Sequence, residues 1–285
     1  MQKYRLLREQ VAAALPDVRL SEAPDAAEAD LLRVHAPAYV QAVREGSLTP
    51  AAQREIGFPW SPVWAARARR SVGATLAAWD AARAEGVAVN LAGGTHHALA
   101  DAGGGFCVFN DVAVAVRRAQ AVGEGTHFAI VDLDVHQGNG TAAIFSGDAD
   151  VFTLSLHGER NFPFRKVASR LDVGLPDGCG DADYLAALDG ALQVLTACHA
   201  ERPFDGLFYL AGADVHAGDR LGRLALSDAG VLARDARVLA LAERMGCPLV
   251  MCMAGGYGHD LSAMVAVQTG TVGAALASWR RRVHE

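Results

Sequence analysis

Paired cysteines, basic tracts and export signals are all lacking in this chain of 285 residues. Its five cysteines are scattered and form no CxxC pair. That argues against a disulfide framework or a cysteine zinc knuckle and favours a reducing compartment. Lysine and arginine total 26 against 32 aspartates and glutamates, with no basic tract, so we expect no nucleic-acid partner. With 51% hydrophobic and 20% charged residues, the composition is globular and excludes disorder.

Membrane and targeting segments are not expected either. The charged start MQKYRLLREQ is unlike a signal peptide. Residues 261–279 carry no charge, but they contain Ser, Gln, Thr and Gly, which favours a packed terminal helix over a membrane span. We therefore predict a cytoplasmic protein.

No repeat, low-complexity tract or linker divides the chain, which predicts one domain over residues 1–285. Ala-rich amphipathic stretches predict helical structure at about 4–15, 25–45 and 63–85, with turns at Pro16, Pro37, Pro50 and Pro62. Beyond them, short apolar runs alternate with helical stretches. The apolar runs are 87–94, 127–136, 150–157, 206–214 and 247–256, and the helical stretches are 108–122, 181–200 and 227–245.

This alternation predicts an α/β fold with a parallel sheet and right-handed crossovers. Each apolar run ends in polar or Gly-rich residues, namely GGTHH, DLDVHQGNG, SLHGE, GADVH and GGYGHD. Ligands of open α/β sheets bind at the carboxyl ends of the strands. The chemistry-bearing residues are therefore expected to form one site along that edge of the sheet.

The most specific motif is DLDVHQGNG, in which Asp132, Asp134 and His136 share a strand face because alternate side chains point the same way. Carboxylates and imidazole suit a divalent ion such as Zn²⁺. The bland interpretation is a buried aspartate that holds loop amides, beside a surface histidine. Asp214 ends another buried strand, where it could instead cap the next helix. With Asp134 and His136 it makes three ligands with a position open for water, as in catalytic sites.

Three Gly-rich turns carry further candidates. His96 and His97 could act as general acid and base, although a ligand pair or two surface histidines would give the same pattern. Tyr257 could donate to an oxyanion, although a lone tyrosine is also typical of a core or a rim. Gly105 and Phe106 could line a channel, or belong to a flexible loop with one core aromatic.

Together these motifs resemble the histone deacetylase family of the arginase/deacetylase superfamily. The matches run in chain order over about residues 87–260: GGTHHA, GFCVFND, DLDVHQGNGT, TLSLH, LPDGCGD, LAGADVHAGDRLG and AGGYG. The DLDVHQGNG form, the start KYRLLRE and the segment 56–62 are most similar to class IV and its bacterial homologues. The resemblance implies a single-domain arginase/deacetylase-like fold, with a central parallel β-sheet flanked by helices and the active site at the carboxyl ends of the strands.

The resemblance also implies residue roles. Asp134, His136 and Asp214 match the family's zinc ligands. His97 matches the main general base and acid, and His96 its electrostatic partner, oriented by Asp132. Tyr257 matches the tyrosine that polarises the scissile carbonyl. The substrate-channel positions are matched by Gly105, Phe106 and Phe162, and a structural potassium site by Asp132, Asp134, His136, Ser155 and Leu156.

Two departures from the family pattern stand out. Asn139 replaces the aspartate that many relatives place beside the histidine matching His97. An amide can still fix the imidazole tautomer, but it raises the basicity less than a carboxylate does. The class IV pattern also carries Asn here. Relatives usually have a further segment upstream, including an early strand, so we expect this N-terminal segment to be shorter than theirs.

The implied activity is a zinc-dependent hydrolase that uses metal-activated water to remove acetyl or long-chain fatty acyl groups from lysine side chains of a protein or peptide. Fe²⁺ would fit the same ligands. An alternative is an amidohydrolase of the same superfamily that acts on acetylpolyamines or other small acylated amines. A third hypothesis, a non-catalytic acyl-lysine binding protein, requires loss of a ligand or catalytic residue, and every such position is filled. The oligomeric state is not predicted.

Overall fold

Six parallel strands form one central sheet in the computed structural model, which describes residues 2–284. The strands are β1 Val87–Asn90, β2 Phe128–Asp132, β3 Val151–Gly158, β4 Leu171–Leu175, β5 Gly206–Leu210 and β6 Leu249–Cys252. Their order is β1-β6-β5-β2-β3-β4, and every neighbouring pair is parallel. The predicted α/β fold with a central parallel sheet is confirmed.

Ten α-helices of the described residues surround this sheet. They are α1 Gln2–Ala14, α2 Glu28–Leu31, α3 Pro37–Glu45, α4 Pro50–Ile56, α5 Pro62–Glu85, α6 Asp111–Ala121, α7 Asn139–Ile144, α8 Asp181–Glu201, α9 Asp228–Met245 and α10 Leu261–His284. Several begin at side chains that accept a hydrogen bond from the first turn, which satisfies a backbone N–H that the helix leaves free. These caps are Thr49, Ser61, Asn110 and Ser227.

Both faces of the sheet are covered, as expected for an all-parallel sheet. On β5, Leu207 and Tyr209 pack into one hydrophobic cluster, whereas Phe208 and Leu210 pack into the other. The helices α8, α9 and α10 contribute to the first cluster, and α5 and α6 to the second. Alternate residues of one strand thus serve two cores, which explains why the strands are continuous apolar runs.

The elements differ from the sequence prediction in three places. Strand β4 was not predicted, because it is an edge strand whose exposed and buried residues alternate and which therefore lacks an apolar run. Within 25–45, the predicted turn lies before Pro37 and not at it, because α2 ends at Leu31 and α3 begins at Pro37, whose ring disfavours helical backbone in the residue before it. Four of the five predicted strands are also too long at their carboxyl ends, whereas the run 150–157 agrees with β3 within one residue. Strand β2 ends at Asp132, so the polar residues that follow belong to loops.

Helix α10 includes the uncharged stretch 261–279. By length and composition alone, Leu261–Val283 is the one helix of the described residues that could cross a membrane, and half of its most apolar window is buried inside the protein. It packs against α1 and α9, as expected of a terminal core helix. All five cysteines are free thiols, in agreement with the absence of a predicted disulfide framework.

Candidate active site

The residues singled out in the sequence converge at the carboxyl ends of adjacent strands. His96 and His97 follow β1, Tyr257 follows β6, Asp214 follows β5, and Asp134 follows β2. Because these strands are neighbours in the sheet, the loops line one cavity of about 450 Å³. Its walls include the three predicted zinc ligands and the channel residues together with the tandem histidines and the tyrosine: His96, His97, Gly105, Phe106, Asp134, His136, Phe162, Asp214 and Tyr257.

Asp134, His136 and Asp214 form a compact group at the base of this cavity. Their potential ligand atoms all lie within 4.8 Å of one another. His136 Nδ1 is 3.0 Å from Asp134 Oδ1 and 3.3 Å from Asp214 Oδ2. Backbone N–H groups fix both carboxylates, since Gly255 donates to Asp134 Oδ2 and Val135 donates to Asp214 Oδ1. The three side chains are therefore held in one arrangement before anything binds.

The electrostatics of this group call for a cation. Asp134 and Asp214 are both 2% exposed, and burial together with the charge of Asp134 raises the pKa of Asp214 to about 6. Burial lowers the pKa of His136, but its hydrogen bonds to Asp134 and Asp214 outweigh burial and raise that pKa to about 10. A proton on His136 thus offsets two buried carboxylates. A divalent metal ion would balance the negative charge of Asp134 and Asp214. Two carboxylates and an imidazole are suitable ligands for such an ion.

The space around these carboxylates is closely filled. A Cβ atom at Gly255 would lie 1.9 Å from Asp214 Oδ2. A Cβ atom at Gly212 would lie 2.7 Å from both Asp134 Oδ2 and Asp214 Oδ1. Only glycine fits at either position, so the close approach of backbone to the ligand group explains the glycines that follow β5 and β6.

The tandem histidines have different hydrogen-bond partners at Nδ1 of the ring. His96 Nδ1 contacts Asp132 Oδ2 at 2.6 Å, and His97 Nδ1 contacts Asn139 Oδ1 at 2.7 Å. Because a carboxylate or amide oxygen only accepts, each contact places the proton on Nδ1, and Nε2 is the remaining ring nitrogen. Asp132 and Asn139 lie behind the cavity wall and do not line it. The structure therefore puts both in the orienting positions expected from the sequence.

The two histidines also differ in charge. Burial lowers the pKa of His96, but the charges of Asp132 and Asp134 outweigh it and raise that pKa to about 9. Burial and the neighbouring His96 hold the pKa of His97 well below its usual range. The pair therefore contains one imidazolium and one neutral imidazole whose ring centroids are 4.1 Å apart. A neutral imidazole with a free Nε2 is the form that can accept a proton.

Tyr257 is held as a hydrogen-bond donor. Burial, followed by the nearby Tyr4, raises its pKa, so the phenol keeps its proton. Its backbone is fixed from the loop after β5, because its N–H donates to Asp219 Oδ2 at 2.6 Å and its carbonyl accepts from Arg220 Nε at 2.9 Å. Lys3 Nζ lies 4.6 Å from the centroid of the Tyr257 ring.

Aromatic rings form the entrance to the cavity. Phe106 is 48% exposed and Phe162 is 39% exposed, and both line the cavity. The Phe162 ring stands edge-on to His97, with ring centroids 4.9 Å apart. Gly105 adopts φ +52°, and a Cβ there would lie 2.5 Å from His97 Cδ2. The channel residues expected from the sequence thus lie together above His97.

The residues expected to bind potassium are also neighbours. Asp132 and Ser155 lie opposite each other in the paired strands β2 and β3, and Leu156 is next along β3. Ser155 Oγ lies 2.9 Å from Nδ1 of the buried His157. Asp134 and His136 follow β2 in the chain, so the five residues lie in one region around the carboxyl end of β2.

Three residues of the site were missed in the sequence. Asp219 holds Tyr257, Asp111 holds the turn before His96, and Lys3 donates to the carbonyl of Ala254 at 3.4 Å. The helical period offered a signal for Lys3, because it shares the buried face of α1 with Leu7 and Val11. Asp111 and Asp219 act through contacts with residues distant in sequence, which no local pattern indicates.

Similarity to known proteins agrees with this geometry. The sequence model of the histone deacetylase domain matches residues 1–271. This chain belongs to the histone deacetylase family. An uncharacterized protein of Picosynechococcus sp. is 44% identical, over 93% of this chain and 88% of its own length. A histone deacetylase-like amidohydrolase of Pseudomonas aeruginosa is 36% identical, over 84% of this chain and 66% of its own.

A solved structure supports the same assignment of fold. The crystal structure of a histone deacetylase homologue from Aquifex aeolicus superimposes with a TM-score of 0.78 at 25% identity, over 95% of this chain and 77% of that one. Proteins of the histone deacetylase family are hydrolases and are in general metal-dependent. Within the described residues, Asp134, His136 and Asp214 are the group that could hold the ion.

Proposed function

We propose that the protein is a zinc-dependent hydrolase that removes an acyl group from the side-chain amide of lysine. One observation carries the proposal: a buried metal-ligand group, a neutral histidine and a protonated tyrosine line the same cavity. Amide hydrolysis needs a nucleophile, a proton acceptor and a donor for the developing oxyanion. These groups supply all three.

Asp134, His136 and Asp214 would hold the zinc ion, and Asp132, Asp134, His136, Ser155 and Leu156 would hold a structural potassium ion. When bound, zinc lowers the pKa of water and polarises a carbonyl. Two carboxylates and one imidazole fit this ion, and the three ligands leave a position for water or substrate. Fe²⁺ accepts the same donors.

His97 is the proton acceptor and, as the C–N bond breaks, it returns the proton to the departing amine. Its Nδ1 is bound by Asn139, so Nε2 faces the reaction. His96 is held charged by Asp132 and favours negative charge in the transition state. Tyr257 donates its phenol hydrogen to the oxyanion, which is the role that its raised pKa supports.

The entrance fits a lysine side chain. Its apolar methylene stem would lie between the rings of Phe106 and Phe162, and Gly105 leaves room beside His97. The substrate is an acylated lysine in a protein or peptide. A small acylated amine is the second candidate, favoured by the resemblance to the Pseudomonas amidohydrolase. The class IV-like motifs are the reason to include long acyl chains.

Steady-state hydrolysis of one lysine peptide carrying acetyl, octanoyl or myristoyl groups tests the proposal, with acetylated polyamines assayed in parallel. We expect turnover that a chelator abolishes and added Zn²⁺ restores. The Asp214→Asn variant should be inactive, whereas Asp228→Asn, a change at an exposed side chain, should match the wild type. Turnover that survives chelation would contradict the zinc mechanism. The ranking of kcat/KM among the substrates identifies the acyl group and separates lysine peptides from polyamines.

A further inference from the structure

A fully buried arginine lies outside the cavity and has no part in the proposed chemistry. Arg234, in helix α9, and its neighbour Asp235 are both 0% exposed. Burying a guanidinium is costly unless charge and hydrogen bonds compensate it. A buried ion pair is weak evidence for stability alone, so the position of its other contacts decides what it does.

Arg234 donates to the two strand ends that carry the candidate metal ligands. Its Nη1 donates to the carbonyl of Gly212 at 2.6 Å and to that of Leu133 at 3.3 Å. Leu133 lies between Asp132 and Asp134, and Gly212 lies two residues before Asp214. One guanidinium nitrogen thus joins the segment after β2 to the segment after β5.

The carbonyls of Leu133 and Gly212 lie just beyond the carboxyl ends of β2 and β5, where the strand pairing ends. The last ladder-like contact between the two segments is the hydrogen bond from Leu133 N–H to Leu210 O, at 3.0 Å. Beyond it, the two segments have no strand pairing. They are connected by the hydrogen bond from Val135 N–H to Asp214 Oδ1 at 2.9 Å and by Arg234, which bonds the backbone of both.

The hydrogen bonds of Asp235 orient the guanidinium of Arg234. Asp235 Oδ1 accepts from Arg234 Nε at 2.9 Å and lies 2.8 Å from Nη2. The same carboxylate accepts from Tyr209 Oη at 2.5 Å through Oδ1 and from Thr271 Oγ1 at 2.6 Å through Oδ2. Tyr209 of β5 thus holds Oδ1, the oxygen that Arg234 Nε and Nη2 contact as a fork, and this fork sets the direction of Nη1. Thr271 of α10 bonds only the other oxygen, Oδ2.

We propose that Arg234 is a positioning residue for the metal centre, and that its bridge between the carbonyls of Leu133 and Gly212 sets the separation of Asp134 and Asp214. The inference rests on the proposed function only in taking these two aspartates as metal ligands. Groups that orient ligands typically change metal affinity about 10- to 100-fold when removed. A purely structural ion pair would change the stability and leave the metal affinity alone.

The test is the Kd for Zn²⁺, measured without substrate by competition with a chromogenic chelator. Arg234→Lys keeps the charge but replaces the rigid guanidinium by one compact ammonium, which cannot occupy the positions of Nε beside Asp235 and Nη1 beside the carbonyls at once. We expect the Kd to weaken about 10- to 100-fold. Thr271→Val is the matched control, because it removes a hydrogen bond to Asp235 Oδ2 and touches neither ligand-bearing segment. It should lower the Tm of the metal-free protein with a Kd within twofold of wild type.

Two outcomes would overturn the inference. One is a zinc Kd within twofold of wild type for Arg234→Lys alongside a lowered Tm. The other is equal weakening in Arg234→Lys and Thr271→Val, which would trace the effect to general loss of stability. If Arg234→Lys does not fold, Asp235→Asn replaces it, since it loosens the fork while keeping the guanidinium. It must then weaken zinc binding more than Thr271→Val, and equal effects overturn the inference.

The experiment also separates this inference from the proposed activity. A wild type that binds zinc but hydrolyses none of the substrates removes the proposed function and leaves the role of Arg234 testable by affinity. A wild type that does not bind zinc contradicts both.

Discussion

At the scale of single residues, two histidines of the same chemistry have pKa values shifted in opposite directions, because Asp132 and Asp134 lie beside His96, whereas His97 is buried next to the charged His96. A carboxylate, Asp132, keeps His96 protonated, whereas an amide, Asn139, fixes the tautomer of His97 without supplying charge. The neutral ring is then the better proton acceptor at neutral pH. In the proposed mechanism, His97 therefore both accepts and returns the proton, and His96 stays charged beside it.

Residue identities at the strand ends could be predicted from the sequence, because strand alternation places Asp132, Asp134 and His136 on one face. Their partners could not. Tyr257 depends on Asp219, and Lys3 reaches Ala254 across 251 residues of sequence. Such contacts form only when loops that are distant in sequence come together. The sequence therefore indicates which residues belong to the site, but not which contacts hold each of them in place.

Replacing Tyr257 by phenylalanine removes the phenol hydrogen and little else. We expect kcat to fall about 10²- to 10³-fold, the usual cost of losing one oxyanion donor, with zinc affinity unchanged. Steady-state kinetics and a zinc titration measure both effects. Tyr39→Phe is the matched control, since that hydroxyl donates to the carbonyl of Val108, away from the reacting groups. Unchanged turnover in Tyr257→Phe would remove this tyrosine from the mechanism.

At the scale of elements, the turn that carries the tandem histidines is held by the start of a helix. Asp111, in the first turn of α6, accepts from the N–H groups of Gly94 and Thr95 at 3.0 and 2.8 Å. It also accepts from the hydroxyls of Thr95 and Thr75, each at 2.6 Å. Helix α6 thus fixes the turn between β1 and His96, and helix α5 braces it through Thr75.

Replacing Asp111 by asparagine leaves one acceptor oxygen for four donors. We expect kcat/KM to fall about 10- to 100-fold, because misplaced catalytic histidines lose their orientation, while zinc affinity stays near wild type. Kinetics combined with the zinc titration separate these effects. The exposed Asp101→Asn serves as control for the loss of one charge nearby. An equal loss of zinc affinity and rate would show that Asp111 supports the whole site and not this turn.

At the scale of the whole molecule, the fold class followed from apolar runs that alternate with helical periods, because a parallel sheet buried on both faces needs such runs. Edge strand β4 could not be predicted in this way, because only one of its faces is covered and it has no continuous apolar run. The order β1-β6-β5-β2-β3-β4 was not predicted either. The packing of the crossover helices on the sheet decides which strands become neighbours. No single segment of the sequence indicates that packing.

Long-range packing also determines how stability depends on pH, through His35. This buried histidine joins distant segments, with Nδ1 3.0 Å from the carbonyl of Leu99 and Nε2 accepting from the N–H of Asn110. Burial lowers its pKa to about 4, against 6.5 as its ordinary value. Between these values the unfolded chain binds the proton and the folded protein does not. The stabilisation is therefore complete above the unfolded pKa and is lost as the pH falls towards 4.

We expect His35 to account for a loss of about 2 kcal/mol in the free energy of unfolding between pH 7 and pH 5. Chemical denaturation of wild type and His35→Gln at both pH values, at one zinc concentration, isolates this contribution, because all other titrating groups are shared. Glutamine does not titrate, so the variant should lose less stability over this interval, even though its stability at pH 7 is lower. An identical loss in both proteins would mean that folding does not shift the pKa of His35, which would contradict a buried neutral imidazole joining these segments.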